Sequence, residues 1–196
     1  MRTVYTPDSP PAKGIYPLLT ASIAPRPIAR VSTLSPDGVP NLAPYSFFTI
    51  ACTDPAILSI TSVGRKDTYR NVVETGEFVA SIGTESLMDP INATSAPVRP
   101  DVDEFAANGL TAEPSDAVAA PRVAEAPIAF ECVRHDVVDL GTSAMLLGRV
   151  VSVSVRDDVL AADGLPDFAA LAPPSRLGRN EWGLAPAVRR LDRPGR

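Results

Sequence analysis

The sequence predicts a mainly β protein with short helices, its strands running antiparallel in a closed or partly closed barrel. Three observations carry that prediction. Six apolar runs, at 27–34, 39–52, 56–60, 77–82, 128–140 and 144–155, have the residue types and alternation that strands favour. Two of the connections are turn signals, Ser35-Pro36-Asp37-Gly38 and Gly141-Thr142-Ser143. The helical patterns are few and short, and they fall between the strands.

In chain order, Pro7, Pro10, Pro11, Pro17 and Pro25 predict an extended arm with a helical turn near 16–19. The first strand, 27–34, meets the 35–38 turn, where Pro sets the first φ and Gly accepts a positive one. The returning run, 39–52, is interrupted by Pro40 and Pro44. Proline cannot donate to a ladder, so residues 41–46 belong at an edge or a bulge, with backbone groups left for a ligand. Thr53-Asp54-Pro55-Ala56 turns the chain into strand 56–60. A helix ending near Gly76 precedes strand 77–82. Helices follow around 85–93 and 102–108, the second closed by Gly109. Residues 121–127 connect to the long pair 128–140 and 144–155. A short helix at 167–172 precedes Pro173-Pro174 and a basic tail.

Composition excludes several classes. An apolar fraction of 45% is that of a globular chain, and no run is long enough to span a bilayer. The N-terminus lacks the apolar stretch of a signal peptide, so a cytoplasmic protein is expected. With 18 Lys and Arg against 23 Asp and Glu, the net charge of −5 argues against a nucleic-acid partner. Cys52 and Cys132 match no metal-ligand spacing and read as free thiols in apolar strands. A single histidine, His135, rules against a multi-histidine metal site or a His-based triad, so no metal site is expected.

The densest chemistry lies in Thr61-Ser62-Val63-Gly64-Arg65-Lys66-Asp67-Thr68-Tyr69-Arg70-Asn71, between a strand and a helix. The first N–H groups of a helix have no partner within it and carry partial positive charge, so they attract anions. Arg65, Lys66 and the hydroxyls of Thr61, Ser62 and Thr68 would complete a cradle for one phosphate group. A solvated turn with an ordinary N-cap would use the same residues, and the segment alone leaves both readings open. Tyr45, Phe47 and Phe48 suit a core as well as a ligand. Asp101, Asp103 and Glu104 read as a solvated helix start rather than a cation site.

Several segments, in order, carry a resemblance: RPIARVST (26–33), PDGVPNLAPYSFF (36–48), GRKDTYRNVVETGEF (64–78) and INATSA (91–96). DVDEFAANGL (101–110), PRVAEAPIAFEC (121–132), LLGRVVSV (146–153) and SRLG (175–178) extend it. Over roughly residues 15–180 the chain resembles the flavin reductase-like, FMN-binding split-barrel family. The resemblance implies a split β-barrel of antiparallel Greek-key type, forming one flavin-binding domain over 1–196 with a mobile arm (1–14) and tail (183–196). It implies a homodimer with FMN, or FAD, near the subunit interface. Carried onto this chain, Asn41, Ala43, Pro44, Tyr45, Ser46 and Phe47 would line the flavin ring. Thr61, Ser62, Arg65, Lys66, Asp67 and Thr68 would surround its phosphate, which favours the cradle over the plain turn.

The implied activity is an NAD(P)H-dependent flavin reductase that passes reduced flavin to a partner monooxygenase. Hydride transfer from nicotinamide to flavin needs no side-chain acid or base, so no catalytic residue is assigned. Two alternatives keep the fold: an electron-transfer flavoprotein without nicotinamide activity, and a flavin-dependent oxidoreductase acting on an organic substrate. The departures from the family bear on that choice. Many members have Trp at Arg30, and some have Lys at Glu104. Many carry Gly-Asp-His where Gly141-Thr142-Ser143 stands, which touches nicotinamide handling more than flavin binding. Trp182 would serve as a stacking aromatic or simply pack on the barrel.

Overall fold

The computed structural model describes residues 1–192, Pro194 and Gly195. After an exposed arm comes α1 (Ile15–Ser22), none of whose residues is buried. The 27–34 run divides. β1 (Arg26–Pro27) belongs to a small separate sheet, and β2 (Ala29–Leu34) pairs with β3 (Pro40–Tyr45) across the 35–38 turn. Gly38 takes the positive φ, 80°, that the turn requires. The 39–52 run also breaks, at Ser46-Phe47, into β3 and β4 (Phe48–Thr53), and β4 pairs with β5 (Ala56–Val63). Then come α2 (Asp67–Thr75) and β6 (Glu77–Ile82). Gly76 ends α2 in the left-handed conformation, its N–H donating to Val72 O at 3.1 Å.

A 3-10 turn at Glu85–Leu87 leads into α3 (Met88–Ala93), and α4 (Glu104–Ala107) is only one turn long. β7 (Ala112–Glu113) pairs with β8 (Arg122–Val123), and β8 lies inside the 121–127 stretch expected to be mere connection. β9 (Ile128–Leu140) and β10 (Ser143–Val155) form the long hairpin. After α5 (Phe168–Leu171), β11 (Ser175–Arg176) and β12 (Trp182–Gly183) complete the small sheet, in the order β1-β11-β12. The tail expected to be loose from 183 starts tied down, because the Ala185 N–H donates to Glu85 Oε1 at 2.6 Å. Arg193 and Arg196, in the same tail, lie outside the described residues.

The main sheet runs β3-β2-β6-β9-β10-β5-β4, antiparallel at every pair. β6 lies beside β2 and β10 beside β5, so the chain returns to earlier strands as in a Greek key. The edge strands β3 and β4 are consecutive in the chain, so the sheet must curl until its edges meet at Ser46-Phe47. There the Thr61 N–H donates to Phe47 O at 2.9 Å. The result is a split barrel. Pro40 and Pro44 sit on β3 because an edge strand is the place where a missing donor costs nothing to the ladder.

Period-two alternation builds the interior. Ala29 and Val31, Leu58 and Ile60, and Phe78 and Ala80 point inward with Tyr45, Cys132 and Leu146, and α2 adds Val72. β10 approaches closely at Gly148, where an added Cβ would lie 2.2 Å from the Phe78 ring. β2 is buried on both faces, since residues 105–126 cover the outside. Phe105, Leu110, Val123 and Ala126 pack there on Leu42. Arg30 is wholly buried on that outer side, and its guanidinium nitrogens have no hydrogen-bond partner among the described residues. Burial pushes Arg30 down to about 10, with Glu125 opposing. His135 is exposed on β9, and Cys132 lies in the barrel core. Among the described residues no helix is long and apolar enough to cross a membrane, and no acidic, Cys or His cluster is arranged to hold a metal.

Candidate functional site

A cavity of about 620 Å³ opens at the seam where the edges of the sheet meet. The fold brings all twelve residues singled out in the sequence to its walls. Asn41, Ala43, Pro44, Tyr45, Ser46 and Phe47 come from β3 and the corner after it. Thr61, Ser62, Arg65, Lys66, Asp67 and Thr68 come from the end of β5, the turn and the first residues of α2.

At the helix end, Lys66 is the N-cap residue in extended conformation, and no side chain caps the helix. The ordinary capped turn is therefore not what forms. The leading N–H groups of α2 are left for another acceptor, with the positive end of the helix dipole behind them. Ser62, almost fully buried, donates to Gly64 O at 2.7 Å and shapes the turn. The Gly64 N–H donates in turn to Thr142 O at 3.0 Å, so the β9–β10 corner buttresses the same loop. The three cations differ. Arg65 is held by Asp139 at 2.8 Å, with its guanidinium 5.6 Å from the centre of the Tyr69 ring. Arg70 is paired with Asp67. Lys66 has no carboxylate partner among the described residues.

A polar network fixes this helix to β3. The Asn41 side-chain oxygen accepts from Thr68 Oγ1 at 2.8 Å and from Thr33 Oγ1 at 3.2 Å, and its amide nitrogen donates to Glu104. Asn71 Nδ2 reaches Thr33 at 2.9 Å. Asn41 thus spends most of its hydrogen-bonding capacity inside the protein, holding the cavity walls together. The Leu42 N–H also donates to Glu104. Leu42 therefore faces outward from the ladder, and by alternation so does Pro44, which offers a carbonyl and no donor.

Glu104 corrects the expectation of a solvated helix start. Asp103 alone caps α4, accepting from Phe105 and Ala106, whereas Glu104 is 5% exposed and turns onto β3. Burial holds its carboxyl above the ordinary range, opposed by the bonds from Leu42 and Asn41.

The opposite end is aromatic. Tyr45 is 8% exposed, packs in the barrel core and also borders the cavity. Burial raises its phenol above the usual value, with the Thr68 and Ser62 hydroxyls opposing. Phe47 meets the edge of Tyr16 at 6.4 Å between ring centres. Arg26, itself buried, stands 5.9 Å from the Phe47 ring and donates to Ser46, to the Thr20 and Ile23 carbonyls of α1 and its cap, and to Leu177 O. One side chain thereby pins α1, the small sheet and the corner. Trp182 lies elsewhere, 5.5 Å from Arg176, and does not border the cavity. Sequence reasoning missed Tyr16, Arg70, Glu104 and the wall formed by Thr94, Ser95, Ala96, Pro97 and Val98. The INATSA segment was the available signal for part of that wall.

The model of the flavin reductase like domain matches residues 21–169. The chain belongs to the flavin reductase-like family. An uncharacterized protein of Halalkalibacterium halodurans is 42% identical over 200 residues, covering 96% of this chain and 95% of its own. Among solved structures, nitrilotriacetate monooxygenase component B from Bacillus cereus is 35% identical with a TM-score of 0.92, over 97% of this chain and 99% of that one. The 2-nitrobenzoate 2-nitroreductase of Pseudomonas fluorescens is 28% identical with a TM-score of 0.90, over 98% and 97%. Both structural likenesses run through almost the whole of each chain.

Proposed function

We propose that this flavin reductase-like protein binds FMN in the seam cavity and, as a cytoplasmic homodimer, reduces flavin with NAD(P)H for a partner monooxygenase. The observation that carries the reading is the pairing of two unlike ends in one cavity: the uncapped N-terminus of α2 beside the unpaired Lys66, and the aromatic, short-side-chain surface of β3. FMN presents a phosphate dianion at one end and a flat ring at the other. Lys66 and the leading N–H groups of α2 would hold the phosphate. Ala43 and Pro44 leave room for a ring against β3, and Tyr45 and Phe47 bound it. When bound, the flavin supplies the hydride-accepting chemistry.

The protein's own groups act by position. Asn41 and Thr68 hold the phosphate end and the ring strand in one register. Arg26 fixes the corner and α1, so that the Tyr16–Phe47 pair walls the aromatic end. Neither His135 nor either cysteine borders the cavity, and no side chain is assigned a proton-transfer role. Orientation of two reactants at contact distance is by itself a large part of a hydride-transfer rate. Similarity to a monooxygenase component B supports the two-component setting. Steady-state oxidation of NADH and NADPH with FMN, FAD or riboflavin tests the reading, with turnover expected for at least one pair. Protein that binds flavin and oxidises neither donor would not be a reductase.

A second reading has one observation in its favour, the close likeness to a nitroreductase. There the bound flavin would pass its electrons to an organic acceptor within the same cavity. Nitroaromatic-dependent NAD(P)H consumption, exceeding that with flavin alone, separates it from the first.

A further inference from the structure

Glu104 is 5% exposed and stands on the wall of the seam cavity beside the first turn of α2. Its two oxygens are not equivalent. Oε2 accepts from both the Asn41 side chain and the Leu42 N–H. Oε1 accepts from none of the described residues and is not sealed in protein. It opens on the space where the seam cavity meets a smaller one of about 260 Å³. The charges around it are mostly spoken for. Asp67 on α2 is paired with Arg70, Arg65 with Asp139, and Asp103 caps α4. From β3 the buried Tyr45 phenol feels the Glu104 charge. Lys66 stands at the start of α2, and among the described residues no cation pairs with Glu104.

We propose that Glu104 takes up a proton from solvent when a flavin phosphate enters and donates it from Oε1 to that phosphate, so that pH governs how strongly FMN is preferred over riboflavin. The inference rests on the flavin reading of the seam cavity and deepens it. Thr68 and Glu104 hold the two ends of the same Asn41 amide, which sets the carboxyl two hydrogen bonds away from the turn that would hold the phosphate. An ionised carboxylate and a phosphate dianion both only accept, so face to face they repel. One proton turns that repulsion into a donor and an acceptor. Glu104 is the group disposed to take it. Burial already holds its carboxyl above the ordinary range, and the Asp67 and Asp103 charges push the same way. An incoming phosphate adds a further like charge. The bonds to Oε2 fix the carboxyl, so the proton goes to Oε1. A residue that only clamped β3 would need Oε2 and give the open oxygen no role.

The test uses the full chain and the variant Glu104→Gln, which fixes the neutral form. Its carbonyl oxygen keeps the bonds from Leu42 and Asn41, and its amide N–H stands where the proton would be. Kd values for FMN and riboflavin are measured by flavin fluorescence titration of both proteins between about pH 5 and about pH 8. Across that range wild type is expected to lose about ten-fold in FMN affinity relative to the variant, the size of one like-charge contact near a protein surface. The two proteins should converge at the acid end, and riboflavin should bind both alike throughout. Ionisation of the phosphate itself is common to both proteins and cancels in the ratio. Calorimetry in buffers of different ionisation enthalpy should show wild type taking up more protons than the variant when FMN binds at neutral pH. Parallel FMN profiles or equal proton uptake overturn the inference and leave Glu104 a clamp of β3. So does a variant that weakens FMN and riboflavin by the same factor. Should the variant fail to fold, wild type alone decides, because proton uptake with FMN and none with riboflavin supports the inference and proton release with FMN overturns it. Failure of wild type to bind either flavin would remove the seam reading itself, which is a separate result.

Discussion

The Thr68 hydroxyl donates to the side-chain oxygen of Asn41 across 2.8 Å, coupling the first turn of α2 to the edge strand β3. The same oxygen also accepts from Thr33, and the amide nitrogen serves Glu104, so one side chain joins β2, β3, α2 and α4. Asn41→Ala leaves three buried polar groups, on Thr33, Thr68 and Glu104, short of a partner. With about 1–3 kcal/mol for each group left unsatisfied and some relaxation, a net loss of roughly 2–4 kcal/mol of stability is expected. Flavin affinity should fall with it. Urea denaturation and flavin titration on one preparation check both, and an unchanged midpoint would show the network to be dispensable.

Among the described residues Lys66, at the α2 N-terminus, has no carboxylate partner, so its charge is available to a ligand. Lys66→Glu should weaken FMN binding by about 10- to 100-fold, the range of one charge-assisted hydrogen bond lost and a repulsion gained. Riboflavin, which has no phosphate, should bind wild type and variant alike. Equal loss for both ligands would place Lys66 at the ring, and no loss for either would remove it from the site.

Legibility in the sequence followed the range of the interactions. The Ser35-to-Gly38 turn and the Gly76 helix end were readable because each is decided by φ within a few residues. Pro44 announced an edge strand because its missing donor forbids the sheet interior. The twelve cavity residues were readable as two local segments, and the family resemblance joined them. Glu104 was misread because its burial depends on a strand 62 residues away, where it accepts from Leu42. Two-residue strands such as β11 and β12 have no periodicity to detect. Arg26 looks like any arginine until α1, Ser46 and Leu177 are folded around it.

Burial holds the Glu104 carboxyl above its ordinary range, which gives a pH dependence of definite sign. Between the unfolded and the raised folded value, the native state binds more protons than the unfolded one, so stability falls as pH rises through that window. The cost is complete above the folded value and absent below the unfolded one. Glu104→Gln keeps a carbonyl oxygen for Leu42 and cannot ionise. Subtracting the stability–pH curve of this variant from that of wild type should leave a component that declines with rising pH from the ordinary carboxylate range upward. A component rising over the same interval would mean that the bonds from Leu42 and Asn41 outweigh burial.

Gly148 has space for no side chain. An added Cβ would stand 2.2 Å from the Phe78 ring and 2.9 Å from Cys132 Cβ, and Phe78 is fully buried in the barrel interior. Gly148→Ala must therefore move a ring that has nowhere to go, at an expected cost of about 1–3 kcal/mol by overpacking. A Phe78→Leu background should recover part of that loss, because the smaller side chain yields the contested volume. Additive losses in the double variant, read from chemical denaturation, would place the strain elsewhere.

Arg30 is the costliest feature of the outer layer. It is wholly buried on β2, its three guanidinium nitrogens lack hydrogen bonds among the described residues, and burial pushes it down to about 10. Glu125 offsets part of that cost; its Oε1 accepts from the Thr111 N–H at 2.9 Å, but its Oε2 is buried without a hydrogen-bond partner among the described residues, so the two charges depend on each other. Replacing both charges with neutral side chains of similar length should stabilise the fold, so the double variant Arg30→Met/Glu125→Gln is expected to gain about 1–3 kcal/mol at neutral pH, whereas Arg30→Met alone leaves the Glu125 charge uncompensated and should gain less or lose stability. The sign of the pH dependence follows from the lowered value. Above about 10 the native wild type sheds the proton while the unfolded chain retains it, so wild-type stability recovers and the advantage of the double variant shrinks. A double variant less stable than wild type at neutral pH would mean that the attraction between Arg30 and Glu125 exceeds the cost of burying them.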